Sequence, residues 1–242
     1  TIKALHDNAD IIRASIASAS NDHRLGANEA PPAIISAFIG SKLTDVLNAF
    51  LSDSTASDKD DRKSIHIDTI PEIFRDNTDR NRTSPFAFTG NKFELRAVGS
   101  SANSAQPMTA LNSAVANQLI LFKQAVDRAI ENGTDQKAAI VSELKQVLRS
   151  AQSILFEGNN YSEEWASEAA KRGLSNIKNT AEALKAYVSE QAEATFVKNG
   201  IFTKEELHAR FEIMLEEYIK KIQIEGRVLG DLVYTFILPP AI

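Results

Sequence analysis

No cysteine occurs in this chain, which excludes disulfides and thiolate metal sites and fits a reducing, cytoplasmic setting. Histidine is nearly as scarce: His6, His23, His66 and His208 are scattered without ligand spacing, which argues against a zinc site. Long apolar runs are missing too. The most apolar stretch, Val228 to Ile242, is interrupted by Gly230, Asp231 and the Pro239-Pro240 pair, so neither a membrane span nor a signal peptide is expected. There is no Gly-rich phosphate loop, no His-Glu-X-X-His and no serine-nucleophile elbow. A basic excess is also absent. With 27 Lys and Arg against 32 Asp and Glu, the net charge of -5 and pI near 5.5 argue against a nucleic-acid binder, while a local basic cleft for a nucleotide stays open. A small-molecule partner fits better.

What is present is ordinary globular material: 43% hydrophobic and 24% charged residues over 242 positions, enough for one large domain or two small ones. The stretch from Asp79 to Gly99 is the most informative. Phe86 and Phe88 alternate with a small residue, and Thr89-Gly90-Asn91 supplies turn chemistry, so a β-hairpin is expected. The period of two places Lys92, Glu94 and Arg96 on one face and Phe93, Leu95 and Ala97 on the other. One face is charged and the other packs, which is the form of both a functional surface and an ordinary solvated sheet face.

Upstream, Leu5, Ala9, Ile12 and Ile16 recur at helical spacing, predicting one amphipathic helix from Ile2 to about Ser20 with Asp7, Asp10 and Arg13 outward and a break at Asn21-Asp22. In the loop from Arg24 to Pro32, Pro31-Pro32 keeps Glu29 out of any helix. A second amphipathic helix is expected over Ala33 to Leu51, a solvated loop over Ser52 to Lys63, and a strand over Ser64 to Ile70. Downstream, helical periodicity covers Ala114 to Ile130, Asp135 to Phe156, Ser162 to Phe196 and Lys204 to Leu229. The breaks are Asn132-Gly133, Gly158-Asn159-Asn160 and Asn199-Gly200, with Thr134 and Thr203 as N-caps and Glu206 completing a capping box. Such helices pack as a bundle. Tyr161 and Trp165 offer either a stacking pair for a ligand or core anchors.

Asn81-Arg82-Thr83-Ser84, Lys92-Phe93-Glu94-Leu95-Arg96 and Ala102-Asn103 resemble the Asn-Arg-Ser and Glu-X-Arg segments of the glutamine synthetase catalytic domain. Arg24-Leu25-Gly26-Ala27-Asn28-Glu29-Ala30-Pro31 likewise resembles that family's Arg-Leu and Gly-Tyr-Glu-Ala-Pro segment, and the wording points to the long-chain bacterial type III branch. The resemblance implies ATP-dependent ligation of ammonia to glutamate through γ-glutamyl phosphate, with Mg2+ or Mn2+. Glu94 then matches a metal ligand, Arg24 and Arg96 match arginines that hold glutamate, and Arg82 matches one that contacts phosphate. Glu29 matches the glutamate that takes a proton from ammonium, and Lys92 stands near the nucleotide. Oxygen ligands for hard cations and guanidinium groups for phosphate and carboxylate are what that chemistry requires.

The sequence also departs from the family. Alignment puts Ala87 where shorter synthetases carry a second arginine, so that phosphate contact is either missing or supplied from elsewhere, with Arg80 as a candidate. The stretch between Glu29 and Arg82 is much longer than theirs, and the upstream metal ligands have no counterpart. The expectation is an α+β fold in an inactive fragment of a longer enzyme: residues 1–112 from the carboxy-terminal part of the catalytic domain, with an insertion at about 40–75, and 113–242 an all-helical, bundle-like C-terminal region. By resemblance it belongs to a ring-shaped homo-oligomer. The rival readings are a γ-glutamyl-amine ligase of the same superfamily, which differs in the amine pocket, and a helical assembly module in which the hairpin only packs.

Overall fold

Residues 1–25, 32–52, 83–99 and 102–241 are described by the structure, a computed structural model. Glu29, Arg82, most of the predicted acidic loop and the Ser64 to Ile70 strand lie outside them.

The single N-terminal helix that periodicity predicts is three short ones: α1 (Ile2–Asp7), α2 (Ala9–Ser15) and α3 (Ala19–Asp22). The break falls at Asn8, which is buried. Its Nδ2 donates to the Ala4 carbonyl at 2.9 Å, and its Oδ1 accepts from Thr195 Oγ1 at 2.7 Å and Gln191 Nε2 at 3.1 Å. An asparagine with such alternatives competes with the helical ladder. The resulting change of direction puts Arg13 inside the protein, 1% exposed, where the helical wheel had placed it outside.

The expected helix over Ala33 to Leu51 is also corrected. The run Ile34 to Ile39 is extended and buried and contains β1 (Ala37–Phe38), and the helix α4 occupies only Ser41–Leu51. A short continuous apolar run has no periodicity to separate a buried strand from a helix. Gly40, with φ +85°, makes the corner between them. The N-terminus of α4 is held from outside: the Glu157 carboxylate accepts from Ile39 N at 3.1 Å, Gly40 N at 3.0 Å and Thr44 Oγ1 at 3.2 Å. A carboxylate there satisfies orphan amides and complements the helix dipole. Glu157→Ala is expected to cost about 1 kcal/mol locally, read as a roughly fivefold rise in amide exchange over Ser41–Leu51; unchanged exchange would refute the cap.

The predicted hairpin is present as β2 (Phe86–Phe88) and β3 (Phe93–Leu95), antiparallel, with the turn at Gly90, φ +95°. β1 lies parallel to β2 on its other edge, giving a mixed sheet in the order β1-β2-β3. Phe86 pairs with Leu95 and Phe88 with Phe93, and the rings of Phe86 and Phe93 stack with centroids 5.1 Å apart. That face packs on the core.

The second half is helical, as periodicity indicates. α5 (Ala105–Glu131) begins earlier than expected and turns at Asn132-Gly133 into α6 (Gln136–Ser150), whose N-cap is Asp135 rather than Thr134. Asp135 accepts from the amides of Lys137 and Ala138, satisfying two orphan donors of the first turn. The tract from Ser162 to Phe196 is divided into α7 (Glu163–Lys171), α8 (Thr180–Leu184) and α9 (Glu190–Ala192). Each division is marked by a small capping residue, Ser162, Asn179 or Ser189. The long α10 (Lys204–Leu232) starts at Thr203 with the predicted Glu206 capping box. A π-turn then leads into α11 (Leu238–Ala241), the last of the described elements.

One core joins both halves. Leu5, Ile12, Phe86, Leu184, Phe196 and Leu207, all 2% exposed or less, belong to the same cluster. Trp165, with Ile34 and Ala169, forms a second, smaller one, while Tyr161 is exposed, so the two aromatics do not act as a stacking pair. No helix among the described residues is long and apolar enough to cross a membrane. The sheet, the helices and the long C-terminal helix together make the expected α+β fold.

Candidate functional site

The charged face of β3 is as the alternation predicts. Glu94 Oε1 lies 3.2 Å from Lys92 Nζ, and Glu94 Oε2 accepts from Arg96 Nη2 at 3.0 Å and Nε at 3.2 Å, a two-pronged guanidinium contact. Lys92 and then Arg96 hold the Glu94 carboxyl below the usual carboxylate range. The pairing is therefore present above the unfolded carboxylate's titration and is lost only as pH falls through the lowered folded value. Glu94 is partly exposed, so solvent screens the pair and its contribution to stability is small. The cluster is a charged device on a packed strand more than a source of stability.

Ala87, opposite Glu94 in the register and fully buried, is the position where the resemblance expects an arginine. Among the described residues no three of His, Cys, Asp or Glu come together as a metal cluster. The donor set here fits one oxygen ligand of a hard cation, with two cations placed to neutralise phosphate or carboxylate.

Arg24 sits in the turn after α3, exposed. Its amide and that of Leu25 both donate to the Asn21 carbonyl at 3.0 Å. The Asn21 side chain, buried, donates from Nδ2 to the Ile16 carbonyl at 2.8 Å and to the Ala97 carbonyl at 3.0 Å. The Arg24 turn is thus tied to the residue that follows Arg96. Asp22 accepts from Arg13 Nη2 at 3.2 Å, Thr180 N at 2.8 Å and Thr180 Oγ1 at 2.9 Å. Arg13 Nε in turn donates to the Ile177 carbonyl at 2.9 Å. Burial lowers the Arg13 guanidinium pKa, and Asp22 opposes that shift.

A second tie starts from Asn160, fully buried, whose side-chain Oδ1 accepts from Ser36 Oγ at 2.7 Å and whose backbone N–H donates to Thr83 Oγ1 at 3.3 Å, beside the Arg82 position. The structure therefore brings Lys92, Glu94 and Arg96 together and anchors Arg24 to the same strand end, while Glu29 and Arg82 fall outside the described residues. Asn21, Asp22, Asn160 and Thr180 are the residues that sequence reasoning overlooked. Asn21-Asp22 has the look of a helix break, and the only further signal, a polar pair inside an apolar periodicity, does not name its distant partners.

Residues 139–242 match the Glutamine synthetase C-terminal domain. The chain is 51% identical over 242 residues to a protein named Glutamine synthetase from Bacteroides fragilis (strain YCH46), covering 98% of this chain and 33% of that protein. It is 43% identical to the Type-3 glutamine synthetase of Dictyostelium discoideum, over 98% of this chain and 32% of the relative. A Glutamine synthetase of Butyrivibrio fibrisolvens is 40% identical, over 96% and 33% respectively. The chain spans about a third of the length of the curated relatives it matches. With the motif-bearing strand, the tied Arg24 turn and the helical half all falling within these matches, the chain belongs to the glutamine synthetase family.

Proposed function

We propose that this chain is part of an ATP-dependent ligase that joins ammonia to glutamate, giving glutamine. The observation that carries the reading is the Lys92–Glu94–Arg96 cluster on one face of β3, inside a chain that matches glutamine synthetases along nearly its whole length. Residues 1–112 belong on this reading to the catalytic domain, and 113–242 form a helical C-terminal region.

Arg24 and Arg96 hold the carboxylates of glutamate, and Arg82 and Lys92 face the nucleotide phosphates. The γ-carboxylate of glutamate attacks the terminal phosphorus of ATP and ADP leaves, giving γ-glutamyl phosphate. Ammonia, formed when Glu29 takes a proton from ammonium, attacks the acyl carbon and inorganic phosphate leaves. Fixed guanidinium groups aimed at the developing phosphate charge are how such a transfer is accelerated. Glu94 would supply one oxygen to Mg2+ or Mn2+, which neutralises phosphate charge when bound. A homo-oligomer working in the cytoplasm belongs to the same reading.

The test is glutamate- and ammonia-dependent phosphate release from ATP by the full-length protein. Glutamine-forming turnover is expected from the full-length protein and none from the 242-residue chain alone, which carries one acidic ligand of the cluster. No glutamate-dependent turnover by the full-length protein would overturn the ligase reading, and turnover by the isolated chain would overturn its status as an incomplete part.

A further inference from the structure

Asn21 performs two tasks with one residue. Its carbonyl accepts the amides of Arg24 and Leu25, closing the turn on which Arg24 is displayed, and its side chain donates to the Ala97 carbonyl next to Arg96. The candidate glutamate-binding arginines come from segments far apart in sequence, and this joint is the direct hydrogen-bonded link between them among the described residues. The neighbouring Asp22 secures the joint from behind. It accepts both donors of Thr180 at the start of α8 and one arm of the buried Arg13. One short α-helix of four residues is thereby clamped between the sheet and the helical C-terminal region.

We propose that Asn21 is a positioning residue that sets Arg24 against Arg96 for glutamate, and that the helical region acts on the site through the Thr180–Asp22 contact behind it. The inference rests on the ligase reading above. Placement of a substrate-binding group to within an ångström governs catalytic efficiency, and a buried amide holding two carbonyls is a stiff way to achieve it. The Asn21 side chain bonds the Ile16 and Ala97 carbonyls and not Lys92, so its loss is expected to weigh on glutamate more than on ATP.

The experiment uses the full-length protein, with glutamate and ATP varied separately, in the unmodified enzyme and in Asn21→Asp, Thr180→Val and Thr180→Ser. Asn21→Asp keeps the shape but sets an acceptor against the Ile16 and Ala97 carbonyls. Its KM for glutamate is expected to rise about tenfold or more while its KM for ATP stays within about twofold. Thr180→Val, which keeps the backbone donor and loses the hydroxyl, is expected to shift the same constant in the same direction by less. Thr180→Ser, which keeps both, should match the unmodified enzyme.

A KM for glutamate within about twofold of normal in Asn21→Asp would overturn the proposal, and so would equal losses for both substrates accompanied by a lower melting temperature, because that is a purely structural joint. Amide exchange keeps this failure separate from failure of the ligase reading. In Asn21→Asp, exchange is expected to rise together around Leu25 and Val98, and exchange that stays unchanged in both segments would overturn the joint whatever the turnover.

Discussion

Arg96→Ala in the full-length protein is expected to lower kcat/KM for glutamate by about 30- to 5,000-fold, the equivalent of the 2–5 kcal/mol lost when one member of a buried, hydrogen-bonded charge pair is truncated. Arg96 is three-quarters buried and already meets a carboxylate through two nitrogens, so its guanidinium is oriented before any substrate arrives. Preorganisation of this kind is what makes a charged contact productive in binding. Arg96→Lys keeps the charge and loses the fork, and it is expected to recover part of the loss and remain about tenfold below the unmodified enzyme. Steady-state kinetics with glutamate as the varied substrate reads both. An alanine variant within threefold of normal, with β3 still protected from amide exchange, would remove Arg96 from the site.

The largest expected effect on stability lies at Trp165. Its ring is 1% exposed, stacks on Phe156 at 3.7 Å between centroids and lies beneath the Arg172 guanidinium, 5.5 Å from its centroid. Trp165→Ala is expected to cost about 3–5 kcal/mol, the transfer free energy of the ring plus the cavity it leaves. Trp165→Phe should cost far less. The indole Nε1 is buried with no hydrogen-bond partner among the described residues, so phenylalanine gives up ring volume but also removes an unsatisfied donor. Amide exchange over Glu163–Lys171 is expected to rise by about 150- to 5,000-fold in the alanine variant and by about tenfold or less in the phenylalanine variant. A rise below tenfold for alanine would show that this cluster does not hold the helix.

The hairpin was legible in the sequence because two physical signals coincided there: alternation of period two fixed which residues share a face, and Gly90-Asn91 fixed where the chain reverses. The Thr203–Glu206 box was legible for a similar reason, since both partners lie within one turn. Arg13 was not. A charged residue on an amphipathic helix is assigned to solvent by default, and its partners, Asp22 and the Ile177 carbonyl, include one 164 residues away. β1 was hidden because its two residues lie in an unbroken apolar run, and its strand identity comes from pairing with β2 rather than from its own composition. The charged residues of the candidate site could be named from local pattern and family resemblance. The groups that hold them in place, Asn21 and Asp22 above all, are defined by partners that no local pattern specifies.

The tie between Asn8 and Thr195 has a consequence for how the protein is made. The two residues are 187 positions apart, and helices as short as α1 and α2 do not persist without tertiary partners. At a synthesis rate of about 5–20 residues per second, Asn8 waits roughly ten to forty seconds on the ribosome before Thr195 is polymerised. During that interval the cover that Leu184, Phe196 and Leu207 give Leu5, Ile11 and Ile12 is missing, and a message truncated before the Thr195 codon never supplies it in full.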